Sequence, residues 1–123
     1  MTATEYDLAG DVIAFANPDT GKPLCEFVRN DAFGPVRGFA TIFDTRQKAV
    51  LYRVALADGP EAGVTVELTK LRDDSGDREA RSYRVSCSTG GEVWACECRG
   101  ALRWGKPCKH AISLAQWVRA GLV

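Results

Sequence analysis

The feature that most constrains this chain is a spacing near its C-terminus: Cys96-Glu97-Cys98, then nine residues, then Cys108-Lys109-His110. Two pairs of soft donors, each pair split by one residue, suit a tetrahedral metal ion. Structural zinc takes four ligands drawn from cysteine sulfur and histidine nitrogen. On a strand, residues two apart point to the same face, so Cys96 and Cys98 converge. Lys106-Pro107 marks a helix start, because proline suits the first helical turn. Cys108 and His110 then fall in that first turn, where free backbone N–H groups and the helix dipole favour a thiolate. Gly100 and Gly105 let the intervening loop bring the two pairs together. The expected cofactor is one structural Zn2+ held by Cys96, Cys98, Cys108 and His110. Four protein ligands leave no open position for water or substrate, so such a site organises structure rather than catalysing. Unrelated free thiols beside a surface histidine, or a redox Cys-x-Cys pair, are the rival readings. Neither accounts for the matching Cys-x-His.

Cys25 and Cys87 complete a set of five cysteines. An odd count, with no secretion signal at Met1-Thr2-Ala3-Thr4-Glu5-Tyr6-Asp7, argues against a disulfide framework and for a cytoplasmic setting. Both thiols sit in strand-like runs and are expected to be buried and inert. No stretch is long and apolar enough to span a bilayer, so no membrane partner is expected.

The 123 residues suit one domain, 1–123, large enough to bury a core without help from metal. Val12-Ile13-Ala14-Phe15 and Leu24-Cys25-Glu26-Phe27-Val28 flank the turn signal Asn17-Pro18-Asp19-Thr20-Gly21 and read as a hairpin. Residues 36–48 are ambiguous: Val36 to Phe43 alternates like a strand, yet Phe39, Ile42, Phe43 and Val50 also fit one side of a helix. Val50–Leu56, Val64–Leu71 and Ser82–Cys87 read as strands, and Gly90-Gly91 turns the chain into a last strand, Glu92–Cys96. Val64, Val66, Leu68 and possibly Lys70 share one face. The final helix ends at Gly121. On it His110, Ala111, Leu114, Ala115, Trp117, Val118 and Leu122 form a broad apolar arc, with Lys109, Ser113, Gln116 and Ala120 opposite. The expected fold class is α+β: a mostly antiparallel sheet followed by a zinc-anchored C-terminal helix.

Cys96-x-Cys98 … Cys108-x-His110 resembles the SWIM zinc finger, whose pattern is Cys-x-Cys, a variable gap, then Cys-x-His. The surroundings agree. Tyr83-Arg84-Val85 begins one strand, Trp94-Ala95-Cys96-Glu97-Cys98 ends the next, and Gly105-Lys106-Pro107-Cys108-Lys109-His110 opens the helix. The resemblance spans residues 82–123. It implies a role in DNA binding or protein–protein interaction, the two roles assigned to that family. Residues 1–80 carry none of the catalytic motifs of the larger proteins in which SWIM modules occur.

Charge sharpens the first of these roles. The whole chain is formally neutral. From Trp94 onward, however, Arg99, Arg103, Lys106, Lys109 and Arg119 face a single acid, Glu97, and the remainder of the chain carries the balancing negative excess. Such a split points the C-terminal part toward something anionic. Arg99, Arg103, Lys106 and Lys109 are candidate phosphate contacts, Gln116 a candidate base contact, and Trp104 a candidate stacking residue in the loop between the ligand pairs. Trp94 and Trp117 fit core positions instead.

No enzymatic activity and no small-molecule substrate are expected. The single histidine is committed to metal, so no Cys–His or Ser–His pair remains, and no carboxylate pair stands out. Arg72-Asp73-Asp74-Ser75-Gly76-Asp77-Arg78-Glu79 faintly resembles a calcium loop but lacks its alternating carboxylates, and reads as a solvated hairpin loop.

Overall fold

In the computed structural model, residues 12–30, 34–43, 48–59, 63–73, 82–90, 94–98 and 108–123 are described. They form strands β1 (Val12–Ala16), β2 (Pro23–Arg29), β3 (Val36–Phe43), β4 (Ala49–Leu56), β5 (Gly63–Asp73), β6 (Ser82–Ser88) and β7 (Trp94–Cys96), and helix α1 (Lys109–Arg119). The seven strands make one antiparallel sheet in sequential order, β1 to β7. The described residues are therefore α+β, and every strand pairs with its neighbour in sequence.

Side-chain alternation divides the sheet into two unlike faces. The register Phe27↔Ala40↔Tyr52↔Lys70 runs across the inner face, and so does Gly38↔Val54↔Leu68↔Tyr83. Val66↔Val85↔Cys96 and Cys87↔Trp94 continue it to the last strand. Phe27, Ala40, Ile42, Val54, Val66, Leu68 and Val85 on this face are wholly shielded from solvent. Helix α1 lies on the same face and touches β2 and β3 on one side and β6 and β7 on the other. A sheet that meets one short helix from both flanks, while its central strands stay buried, must curl around it.

Two details fix how the pieces meet. Gly38 lies where a β-carbon would collide with the Val28 carbonyl oxygen and the Phe27 ring, so only glycine lets β3 approach β2 this closely. Gly121 has φ 73° and closes α1. Its N–H donates to the Val118 carbonyl at 3.1 Å, and the Leu122 N–H donates to the Trp117 carbonyl at 2.9 Å. That pairing is a Schellman motif, and it turns Leu122 back into the core.

The ambiguous segment 36–43 is a strand. Its alternation is satisfied by neighbours on both sides, which a helix there would forfeit. The helix differs from expectation at its start. Cys108 is extended, with φ −87° and ψ 172°, and stands just outside α1 as its N-cap. Its carbonyl accepts the Ile112 N–H at 3.0 Å. Ser113, placed by helical periodicity on the polar face, is fully buried beside Leu114 and Trp117. Residues 74–80, which hold most of the calcium-like stretch, lie outside the described residues. Among the described residues no helix is long and apolar enough to cross a membrane.

Candidate metal centre

The ladder between β6 and β7 delivers the first two ligands. Val85↔Cys96 is the last paired position of β7, but pairing continues one residue beyond it. The Glu97 N–H donates to the Arg84 carbonyl at 3.2 Å, and the Arg84 N–H donates to Glu97 Oε1 at 2.8 Å. Glu97 points outward to make that contact, so Cys96 and Cys98 on either side of it turn inward. Both are buried. The Cys98 N–H donates to Cys96 Sγ at 3.4 Å, an arrangement that favours negative charge on the sulfur.

The other two ligands come from the head of α1. Cys108 caps the helix and His110 lies in its first turn. His110 Nδ1 stands 3.7 Å from Cys108 Sγ and 3.9 Å from Cys96 Sγ. The potential ligand atoms of Cys96, Cys98, Cys108 and His110 all lie within 4.8 Å of one another. Zinc bonds of about 2.3 Å to sulfur and about 2.0 Å to nitrogen put tetrahedral donors about 3.5–3.8 Å apart. The cluster therefore needs only a slight contraction to close on one metal ion. Its three sulfurs and one imidazole are a soft donor set, unlike the oxygen cages that hold calcium or magnesium.

Crowding and burial also set the charge that the sulfurs carry. The Cys108 and Cys98 side chains crowd Cys96 and push its thiol far above the usual range, with burial adding to the effect. At Cys108 the hydrogen bond with Cys96 favours ionisation, but the Cys98 side chain and burial outweigh it, and this thiol is raised too. Several thiolates cannot share so small a buried volume without a cation among them. A divalent ion there removes the conflict.

Three residues near this end of the site, Tyr52, Tyr83 and Lys70, have no metal-ligand chemistry that would mark them as site residues in the sequence. The Tyr52 hydroxyl lies 2.9 Å from His110 Nε2, and the two rings meet edge-on at 5.5 Å and 89°. The Tyr83 ring also lies against the imidazole, tilted by 36° with centroids 5.0 Å apart. Lys70 Nζ sits 5.6 Å over the Tyr83 ring, with its side chain buried on the inner face. A lysine in the alternating run of β5 was the one legible sign, since an inward cation needs a reason to be there.

The other candidate contacts divide by position. Lys109 and Gln116 are half-buried on α1, while Arg99, Arg103, Trp104 and Lys106 lie outside the described residues. Trp117 is fully buried with its ring 5.1 Å from Phe27, and Trp94 packs against the core, as a core role for both requires. Cys25 and Cys87 are buried, free thiols.

No protein-family model, no curated protein and no solved structure matches this chain.

Proposed function

We propose that the chain is a non-catalytic recognition protein whose C-terminal corner is organised by one structural zinc ion. The observation that carries this reading is the convergence of Cys96, Cys98, Cys108 and His110 within 4.8 Å, from two separate elements of the fold. Zinc is favoured over other metals because three thiolates and one imidazole match its preferred structural ligand set. A site with four protein ligands has no position left for activating water, which supports a binding role rather than a hydrolytic one. The likeness to SWIM modules supports the same conclusion.

The favoured partner is nucleic acid, DNA first, met by basic residues that stand beside the four ligands in sequence: Arg99, Arg103, Lys106 and Lys109. Three thiolates and Zn2+ leave the site itself with one net negative charge, so these side chains must carry the attraction. A mobility-shift series at low salt tests this. Each phosphate contact contributes a slope of about −0.9 in log affinity against log salt on duplex DNA. Replacing Lys106 and Lys109 by alanine is expected to flatten that slope by about two contacts' worth. Failure of duplex, single strand and RNA to bind at tens of micromolar, about the strength of ordinary non-specific binding, overturns the nucleic-acid reading.

A second reading, a protein-interaction adaptor, rests on the outer face of the sheet. Val12 and Leu71 are large apolar side chains left exposed, and Phe39, Phe43 and Leu51 are only half-buried. Recovery of one stoichiometric protein partner that survives nuclease treatment favours this reading over the first.

A further inference from the structure

His110 has two ring nitrogens, and the fold treats them differently. Nδ1 faces the thiols of Cys96 and Cys108 at 3.9 and 3.7 Å. Nε2, on the far side of the ring, meets the hydroxyl of Tyr52 at 2.9 Å, in the buried interior. Tyr52 is itself almost wholly shielded, and it belongs to β4, 58 residues away in sequence. The imidazole also meets two rings, the edge-on Tyr52 ring and the tilted Tyr83 ring.

We propose that Tyr52 is a positioning residue for the metal centre, committing His110 to bind the metal through Nδ1. The inference rests on the zinc reading and extends it to the sheet. A neutral imidazole carries one proton, and the nitrogen that ligates a metal must offer its lone pair. With Nδ1 as ligand, the proton resides on Nε2, which donates to the Tyr52 hydroxyl oxygen. That bond fixes both the tautomer and the rotation of the ring. An unpartnered Nε2–H in this buried position would lose the full worth of its hydration. Outer partners of this kind raise ligand basicity, and their removal typically weakens metal binding about 10–100-fold. The metal corner is thus completed by the middle of the sheet, and residues 82–123 alone lack one of its parts.

The test uses the full chain and zinc itself. Zinc affinity is measured by competition with a chromophoric chelator for the native protein, Tyr52→Phe and Val54→Ala. Nitrogen-15 correlation spectra of His110 are recorded on the zinc-loaded forms. Tyr52→Phe keeps the ring and its edge contact and removes only the hydroxyl. It is expected to bind zinc about 10–100-fold more weakly and to shift the Nε2 resonance. Val54→Ala opens a cavity on the same strand but leaves the hydroxyl in place. It is expected to lower the melting temperature while leaving the His110 spectrum and the zinc affinity of the folded protein unchanged. Native protein that binds no zinc would overturn the metal reading itself. A zinc-loaded native protein ligated through Nε2, or Tyr52→Phe with unchanged affinity, would overturn only the role of Tyr52.

Discussion

The body of the sheet and the metal corner hold themselves together by different means. Strands β2 to β6 bury Phe27, Ile42, Val54, Val66, Leu68 and Val85 against one another, and each interior strand has hydrogen-bonded neighbours on both sides. Such a body draws its stability from apolar area and backbone pairing. The corner has a three-residue strand at the sheet edge and one helix of eleven residues. A helix of that length is marginal by itself in water. Its C-terminal half is anchored by Leu114, Trp117 and the returning Leu122, but its N-terminal end presents Cys108 and His110 to two more cysteines. The difference teaches that one end of α1 is secured by packing and the other by whatever holds the four ligands.

On the zinc reading, the strongest way to break this comparison is to take the metal away. Structural zinc in small fingers is worth about 10–16 kcal/mol of apparent binding energy, against about 5–15 kcal/mol for the stability of a whole domain. Chelation, or Cys108→Ser, is therefore expected to unravel the start of α1 and to free β7 from the sheet edge. The strands β2 to β5 are expected to stay protected. Amide hydrogen exchange checks this residue by residue. Uniform loss of protection across the sheet would show that the two regions are one cooperative unit.

How much of this was legible in the sequence follows the same division. The strands of the body were readable because period-two alternation is enforced wherever one face is buried. Segment 36–43 resisted because its apolar residues fit both periods. Pairing with β2 and β4, a long-range matter, decides it. The convergence of Cys96, Cys98, Cys108 and His110 was readable because metal geometry imposes a local spacing. The surroundings of His110 were not, since Tyr52 reaches it from 58 residues away and no local pattern encodes that contact. Ser113 was misplaced for a related reason: periodicity sorts side chains by polarity and knows nothing of the neighbour each will meet.

Alkaline pH sharpens the comparison from the side of the body. Burial raises the Cys25 thiol above its usual range, outweighing nearby Ser113 and Trp117, which lower it. A folded-state pKa above the unfolded one means that the folded state prefers the neutral thiol. The associated stability is complete below the unfolded value, about 8.5, and is lost as pH rises through the folded value. Native protein is thus expected to lose stability above about pH 8.5 more steeply than Cys25→Ala does. Denaturant titrations of the zinc-loaded proteins across that range check it. Parallel curves for the two proteins would mean that Cys25 does not contribute.

The smallest expected effect lies where the two regions touch. Ser113 Oγ and Trp117 Nε1 are buried polar atoms with no well-formed hydrogen bond among the described residues, and the Cys25 thiol is the weak polar neighbour of both. They lie one helical turn apart on the face of α1 that meets the sheet, with the Cys25 thiol close to both. Sulfur is a weak acceptor, so its proximity offsets only part of the lost hydration. A buried hydroxyl left unsatisfied costs about 1–3 kcal/mol, whereas an alanine of nearly the same size in the same place costs nothing of that kind. Alanine is also the better helix former by a few tenths of a kcal/mol, about 0.5. Ser113→Ala is therefore expected to stabilise the protein by about 1 kcal/mol, read as a higher denaturant midpoint at unchanged slope. The zinc affinity should not move, because the Ser113 hydroxyl makes no hydrogen bond to any of the four ligands. A loss of stability instead would mean that the hydroxyl has found a partner in the folded protein, and that the packed end of the helix is held by polar contacts as well as apolar ones.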